Sequence, residues 1–215
     1  MLNVGFISYL NAYPFYYPFQ NMSEEELVGW NLIVERPGVL NKMMHNGELD
    51  VSLVSFMEYA SNPEKYLLVP GIGLSSKGYV DSVRLLSQKP MEELKGSIIH
   101  ATSASATSVA VMEILLREVG VSDYVCQPYN VKEGIPDCTA ALTIGDEALT
   151  EQTDFKYSYD LGEIWQQKFS RNIVFAACII NRSSVEWKMA ELNSLIATLQ
   201  SAPGKSYEDK LKFEQ

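Results

Sequence analysis

The chain has 215 residues, 47% of them hydrophobic and 20% charged, which excludes a disordered segment and leaves enough apolar surface for a core without disulfides or metals. Its 27 Asp and Glu outnumber 17 Lys and Arg, for a net charge of −10. Nucleic acid is therefore not an expected partner, and an anionic ligand meets an unfavourable overall field. No run approaches the ~20 apolar residues that span a bilayer, so no membrane partner is expected.

In chain order, residues 3–8 (NVGFIS) and 31–35 (NLIVE) read as short β-strands. Between them, Ser23 followed by Glu26 has the spacing of a capping box and predicts an acidic helix start, cut short by Gly29. Tyr13, Tyr16 and Tyr17 form an aromatic cluster that either packs or covers a cleft. Residues 37–46 (PGVLNKMMHN) predict a helix with Val39, Leu40, Met43 and Met44 on one face, Pro37 in its first turn and Gly47 past its end. Residues 49–54 (LDVSLV) form a third strand ending at Ser55, with a short helix over 57–60 and further strands over 67–69 and 83–87.

A second unit follows. Residues 97–100 (SIIH) predict a strand and 101–108 (ATSASATS) a small-residue loop. Residues 109–119 (VAVMEILLREV) form an amphipathic helix ending at Gly120. A strand over 140–144 turns through Gly145-Asp146 into another helix, 173–180 (IVFAACII) is a long strand, and 186–200 is a helix with a polar, fraying tail over 201–215. Alternating strands and helices predict an α/β architecture with mainly parallel pairing. Two α/β lobes are expected, residues 1–84 with 173–215 and residues 85–172, joined by crossing strands near 83–87 and 173–180. Ligands of such sheets bind beyond the carboxyl ends of the strands, which here gives a cleft between the lobes.

Four loops in that position carry small polar residues: 8–11, Ser55, 102–108 and 145–146. The stretch with Ser103, Ser105, Thr107 and Ser108 leads a strand into a helix. Its hydroxyls and the helix-start N–H groups suit a carboxylate, although a single capping serine accounts for part of the pattern. Asn11 offers a donor and an acceptor on a loop, where Asn is also a common turn residue. Ser82 sits beside the expected hinge, and Asp146 either caps the following helix or faces the cleft. Neither GxxxxGK[ST] nor GxGxxG occurs, so nucleotide binding is disfavoured. With only His45 and His100, and no CxxC among Cys126, Cys138 and Cys178, no metal site, catalytic triad or disulfide framework is expected. His45 reads as a solvated or capping side chain, and His100 stands at a strand end just before the small-residue loop. The N-terminal MLNVGFISYLNAYPF has no cationic start or cleavage-site pattern, so a cytoplasmic location is expected.

Ser8-Tyr9-Leu10-Asn11, Gly47-Glu48-Leu49-Asp50-Val51, Val54-Ser55 with Glu58-Tyr59-Ala60, and Tyr66-Leu67-Leu68 occur in one order. They continue with Ser75-Ser76-Lys77-Gly78, Val80, Ser82-Val83, Ser105-Ala106-Thr107-Ser108-Val109, Ile144-Gly145-Asp146-Glu147-Ala148-Leu149 and Tyr159-Asp160-Leu161-Gly162-Glu163-Ile164-Trp165. Together these resemble the chorismate dehydratases of the futalosine route to menaquinone. The related dihydroxynaphthoate synthases carry a Cys-Pro-Asn pattern at the N-terminal loop that is absent here. The resemblance implies a type 2 periplasmic-binding-protein-like fold and loss of water from chorismate to give 3-[(1-carboxyvinyl)oxy]benzoate. It implies no metal or organic cofactor.

By the same resemblance Asn11 matches the active-site Asn and Ser82 the hinge serine. Ser103, Ser105, Thr107 and Ser108 are then expected to hold one carboxylate of the dicarboxylate substrate, with Ser8 or Ser55 helping with the other and Asp146 close by. A non-catalytic binding protein or sensor for a small carboxylate, built on the same fold, accounts for these features equally.

Overall fold

The apolar run after Met1 becomes β1 (Leu2–Ile7), followed by α1 (Tyr13–Gln20), β2 (Trp30–Glu35), α2 (Pro37–His45), β3 (Val51–Ser55) and α3 (Phe56–Ser61). Then come β4 (Tyr66–Ser76), β5 (Val83–Ser87), β6 (Ile98–Thr102), α4 (Ala106–Glu118), β7 (Val125–Tyr129) and β8 (Ala140–Ile144). The chain ends with α5 (Asp146–Thr150), β9 (Tyr157–Asp160), α6 (Leu161–Phe169), β10 (Ile173–Asn181), α7 (Arg182–Val185) and α8 (Met189–Phe213). The structure, a computed structural model, describes residues 1–102, 105–130, 133–150 and 154–213, with side chains at all of these but 150 and 203–213.

The chain divides into two units, Met1–Leu74 with Ala176–Gln215, and Ser75–Phe175. It leaves the first unit inside β4 and returns inside β10. The outgoing crossing strand is thus β4, where the sequence placed it at 83–87. β5 belongs wholly to the second unit because it pairs there with β8 and β9, so residues 75–84 also group with that unit.

In the first unit the sheet runs β2-β1-β3-β10-β4. β1 lies parallel to β2 and β3, whereas β10 runs antiparallel to β3 from Ala176 opposite Ser55 to Ile180 opposite Val51. The pairing is therefore mixed, not mainly parallel. Every residue of β3 is buried, as expected of a strand covered on both faces. Leu40 and Met44 of α2 enter the core with Leu2, Val4, Phe6 and Val54. Val39, expected on that face, is 42% exposed. Gly5 lets α2 approach the sheet: a Cβ there would run into Ser52 Oγ and lie 2.8 Å from Leu40 Cδ2.

α1 was not apparent in the sequence. Pro14 stands in its first turn, where no N–H is needed, and Pro18 lies inside it. Aromatic packing holds the helix in place: the Phe19 ring lies 5.2 Å from Phe6 and 5.6 Å from Trp30, and Tyr16 lies 5.3 Å from Phe6. The acidic stretch at 23–26 makes both bonds of a capping box, Ser23 N to Glu26 Oε2 at 2.8 Å and Glu26 N to Ser23 Oγ at 3.3 Å, yet only turns follow. Gly29, at φ 101°, breaks away before a helix can propagate.

Asp50, 7% exposed, ties the ends of this unit together. It accepts from Asn3 N at 2.7 Å, Ser184 Oγ at 2.5 Å and Lys188 Nζ at 2.8 Å. Beyond it the helix expected over 186–200 is found as α8, which starts three residues later, after α7 and a break at Glu186–Lys188, and continues through 201–213 where a fraying tail is expected.

The second sheet runs β7-β6-β8-β5-β9. β6 is parallel to β7 and β8, and β5 is antiparallel to β8 and β9. β7 and β9 went unread in the sequence. β7 is an exposed edge strand containing Pro128, which a ladder tolerates only at such an edge. α4 buries Val111, Met112, Leu115 and Leu116. Among the described residues no helix is long and apolar enough to cross a membrane.

Candidate functional site

The described candidate residues lie at the carboxyl edges of the two sheets. In the first unit, the register Val4 opposite Val51 and Gly5 opposite Ser52 brings Ser8 and Ser55 to the same edge. Ser8 is exposed and its N–H donates to Glu35 O at 3.0 Å. Asn11 is exposed in the single 3-10 turn Leu10–Ala12 that leads into α1. Ser55 is buried and opens α3, and its N–H donates to Asn41 Oδ1 of α2 at 3.0 Å. Asn41 was missed in the sequence because its partner is 14 residues away on another element.

His45, expected as a solvated or capping side chain, places Nδ1 3.2 Å from Glu58 Oε1. The same oxygen accepts from Tyr66 OH at 2.7 Å. Burial, reinforced by the Glu58 carboxylate, pushes the Tyr66 phenol well above its ordinary range. This network links the end of α2 to α3, the helix that Ser55 opens.

In the second unit, Thr102, Ser105, Asp146 and Ser82 share one edge: β6 and β8 run parallel and end there, and antiparallel β5 begins there. Gly145 N donates to Ser82 O at 2.8 Å. The helix after β6 starts at Ala106, three residues earlier than expected, so Thr107 and Ser108 lie in its first turn. Ser105 is its N-cap: Ser105 Oγ accepts from Ser108 N at 3.3 Å and from Ser108 Oγ at 3.2 Å. Capping, the simpler of the two readings of this stretch, thus occupies Ser105 and Ser108, which are both buried along with Thr107. Ser103 lies outside the described residues.

Asp146 is exposed at the first position of α5. Beside it the buried Glu147 accepts from Tyr129 OH at 2.6 Å, a pair the sequence did not announce. His100 stands on β6 two residues before the strand's end, with Nδ1 buried and not hydrogen-bonded. Among the described residues no group of three His, Cys, Asp or Glu is placed to hold a metal ion. The described candidate positions other than Asp146 carry hydroxyl and amide side chains, with the N–H and hydroxyl of Ser108 engaged by the Ser105 cap. Those groups recognise a carboxylate by hydrogen bonding without a formal positive charge.

Residues 2–210 match the family model described as menaquinone biosynthesis. A chorismate dehydratase of Thermus thermophilus is 32% identical over 127 residues, a stretch that takes in 57% of this chain and 45% of that protein. Among solved structures, a protein of Archaeoglobus fulgidus superposes with a TM-score of 0.64 at 16% identity, over 99% of this chain and 81% of its own. The periplasmic aliphatic sulphonate binding protein of Escherichia coli does so with a TM-score of 0.64 at 13% identity, over 98% and 75%. These likenesses carry the fold, which is the type 2 periplasmic-binding-protein-like fold that the resemblance implies. With the family match extending over nearly the whole length, the chain belongs to the menaquinone biosynthesis family.

Proposed function

We propose that the protein is a chorismate dehydratase, a hydro-lyase that removes water from chorismate to give 3-[(1-carboxyvinyl)oxy]benzoate in the futalosine route to menaquinone. The observation that carries this reading is the 32% identity to a chorismate dehydratase within the family match. The neutral donors at the carboxyl edges of the sheets agree with a dicarboxylate substrate. The reaction removes one ring proton and the ring hydroxyl, and the ring becomes aromatic, so much of the driving force lies in the substrate. The protein's task is to hold the carboxylates and the hydroxyl in reactive geometry and keep bulk water out. Positioning of this kind lowers a barrier by several kcal/mol, up to ~7–11.

In this proposal the hydroxyl-rich start of α4, with Ser103, Ser105, Thr107 and Ser108, holds one carboxylate. Ser8 or Ser55 helps with the other, and Asp146 is a further substrate-binding candidate. Asn11 and Ser82 orient the departing hydroxyl or polarise the group that takes the proton. An amide is too weak a base to take the ring proton, which passes to a substrate carboxylate or a polarised water, and the hydroxyl leaves as water. The reaction calls for no metal or organic cofactor, and the protein works in the cytoplasm.

Purified protein mixed with chorismate, followed chromatographically, gives the aromatic product. Asn11→Ala and Ser82→Ala each lower kcat by about a hundredfold, the scale of one lost transition-state donor. Tight binding of chorismate without turnover would assign a carboxylate-binding or sensing role instead, and near-normal rates in both variants would overturn the assignment of Asn11 and Ser82.

A further inference from the structure

Two of the stretches that carry the family resemblance meet inside the second unit. The first is the turn over 78–82. Asp81 sits at φ 62°, a left-handed conformation that an Asp side chain adopts only at a cost. Across it, Ser82 N donates to Val80 O at 2.7 Å, closing a three-residue loop of the γ-turn type, which is rare and strained. The second stretch is the start of α6. Asp160, buried at the end of β9, accepts from Val80 N at 3.1 Å and from Asp81 N at 2.6 Å, and it caps α6 by accepting from Glu163 N at 2.9 Å.

Three further contacts close on the same turn. Arg84 Nε donates to Asp81 O at 2.9 Å, and its guanidinium pairs with the Asp81 carboxylate. Gly162 has no room for a side chain, because a Cβ there would strike Gly78 O and lie 3.2 Å from Val80 Cβ. Gly145 N holds Ser82 O from the other side at 2.8 Å. A strained turn persists only where its surroundings over-determine it, and one carboxylate supplies the acceptor for two consecutive N–H groups of this one.

We propose that Asp160 is a positioning residue: it holds the 78–82 turn in its strained form and so aims the Ser82 side chain. The effect on catalysis rests on the reading of Ser82 given above; the clamp itself does not. Asp160→Asn isolates the effect, because Asn caps a helix as well as Asp does, while its NH2 group opposes the Val80 and Asp81 N–H groups. Gly162→Ala is the second variant and pushes on the turn without touching Asp160.

Hydrogen exchange by mass spectrometry and steady-state kinetics with chorismate are measured on both variants in the full chain. In each, exchange accelerates in the peptide covering 78–83, and kcat falls about tenfold or more with KM held within about threefold. Ser82→Ala combined with Asp160→Asn is no slower than Ser82→Ala alone, since both act through one group. Unchanged exchange in both variants overturns the clamp, and multiplicative losses in the double variant overturn its action through Ser82. A wild-type protein that leaves chorismate unchanged refutes the dehydratase reading, and the exchange result then decides the clamp separately.

Discussion

Replacing Asp50 by Asn tests how the first unit is held closed at its chain ends. Burial alone would raise the Asp50 carboxyl's pKa, but the Lys188 ammonium, the Ser184 hydroxyl and the Asn3 amide outweigh it and hold the group below its ordinary 3.8. Asp50→Asn keeps the shape and one acceptor oxygen, and removes the charge that Lys188 meets at 2.8 Å. A hydrogen bond to a charged group contributes about 1.5–3 kcal/mol, and the Lys188 side chain, 30% exposed, regains part of its hydration. The expected loss at pH 7 is therefore about 2 kcal/mol.

The pH dependence fixes the cause. A carboxyl with a depressed folded-state pKa contributes stability that is present above its unfolded value and disappears as pH falls through the folded value. The gap between wild type and variant is thus constant from pH 7 to about 5, narrows below 3.8, and closes once Asp50 is protonated in the folded chain. Urea unfolding followed by circular dichroism at pH 7, 5, 4 and 3 measures it. A gap that stays constant to pH 3, or one under about 0.5 kcal/mol at pH 7, refutes the argument.

Gly5→Ala forces a methyl group against Ser52 Oγ and the Leu40 and Leu49 side chains, and its unfolding free energy falls by about 1–3 kcal/mol in the same urea titration. Cys178 is buried with its thiol pushed up to about 12, so at pH 8 a thiol reagent labels the exposed Cys126 and leaves Cys178 untouched until urea is added; native labelling of Cys178, read by peptide mass, contradicts this. Asn41→Ala withdraws the acceptor of the buried Ser55 N–H and costs about 1–2 kcal/mol in thermal unfolding, whereas Asn41→Asp, which keeps the acceptor, stays close to wild type.

Where a segment's period and its punctuation agreed, the element was legible. The helix over 37–46 has Pro in its first turn and Gly past its end, and it is found at Pro37–His45. The strand expected over 140–144 is found at Ala140–Ile144. Segments governed by distant contacts were not legible. Pro18 inside α1 argues against a helix, and aromatic packing that the local sequence does not show, Phe19 against Phe6 and Trp30, supports one there. Conversely, the capping box at 23–26 is a sound local signal with no buried helical face to follow it. β5 reads as a plain apolar strand, and nothing in 83–87 says which sheet it joins or in which direction it runs.

The described candidate residues stand near strand ends, as their place in the sequence suggests, but how each is engaged is a matter of rotamers and tertiary contacts. Ser105 and Ser108 look alike in a run of hydroxyls, yet one caps the helix and the other donates to it. Four acids, three of them buried, show the same division of labour on the scale of the charge of −10. Asp50 is held by Lys188, Glu58 by Tyr66, Glu147 by Tyr129, and Asp160 by backbone N–H groups. Each of these carboxylates has a hydrogen-bond donor within its own unit. The candidate positions are mostly Ser, Thr and Asn, so under the proposed function an anionic ligand would meet neutral donors there despite the acidic chain. Short-range hydrogen bonds decide recognition at that distance, because salt screens the field of remote surface charges beyond about 8–10 Å.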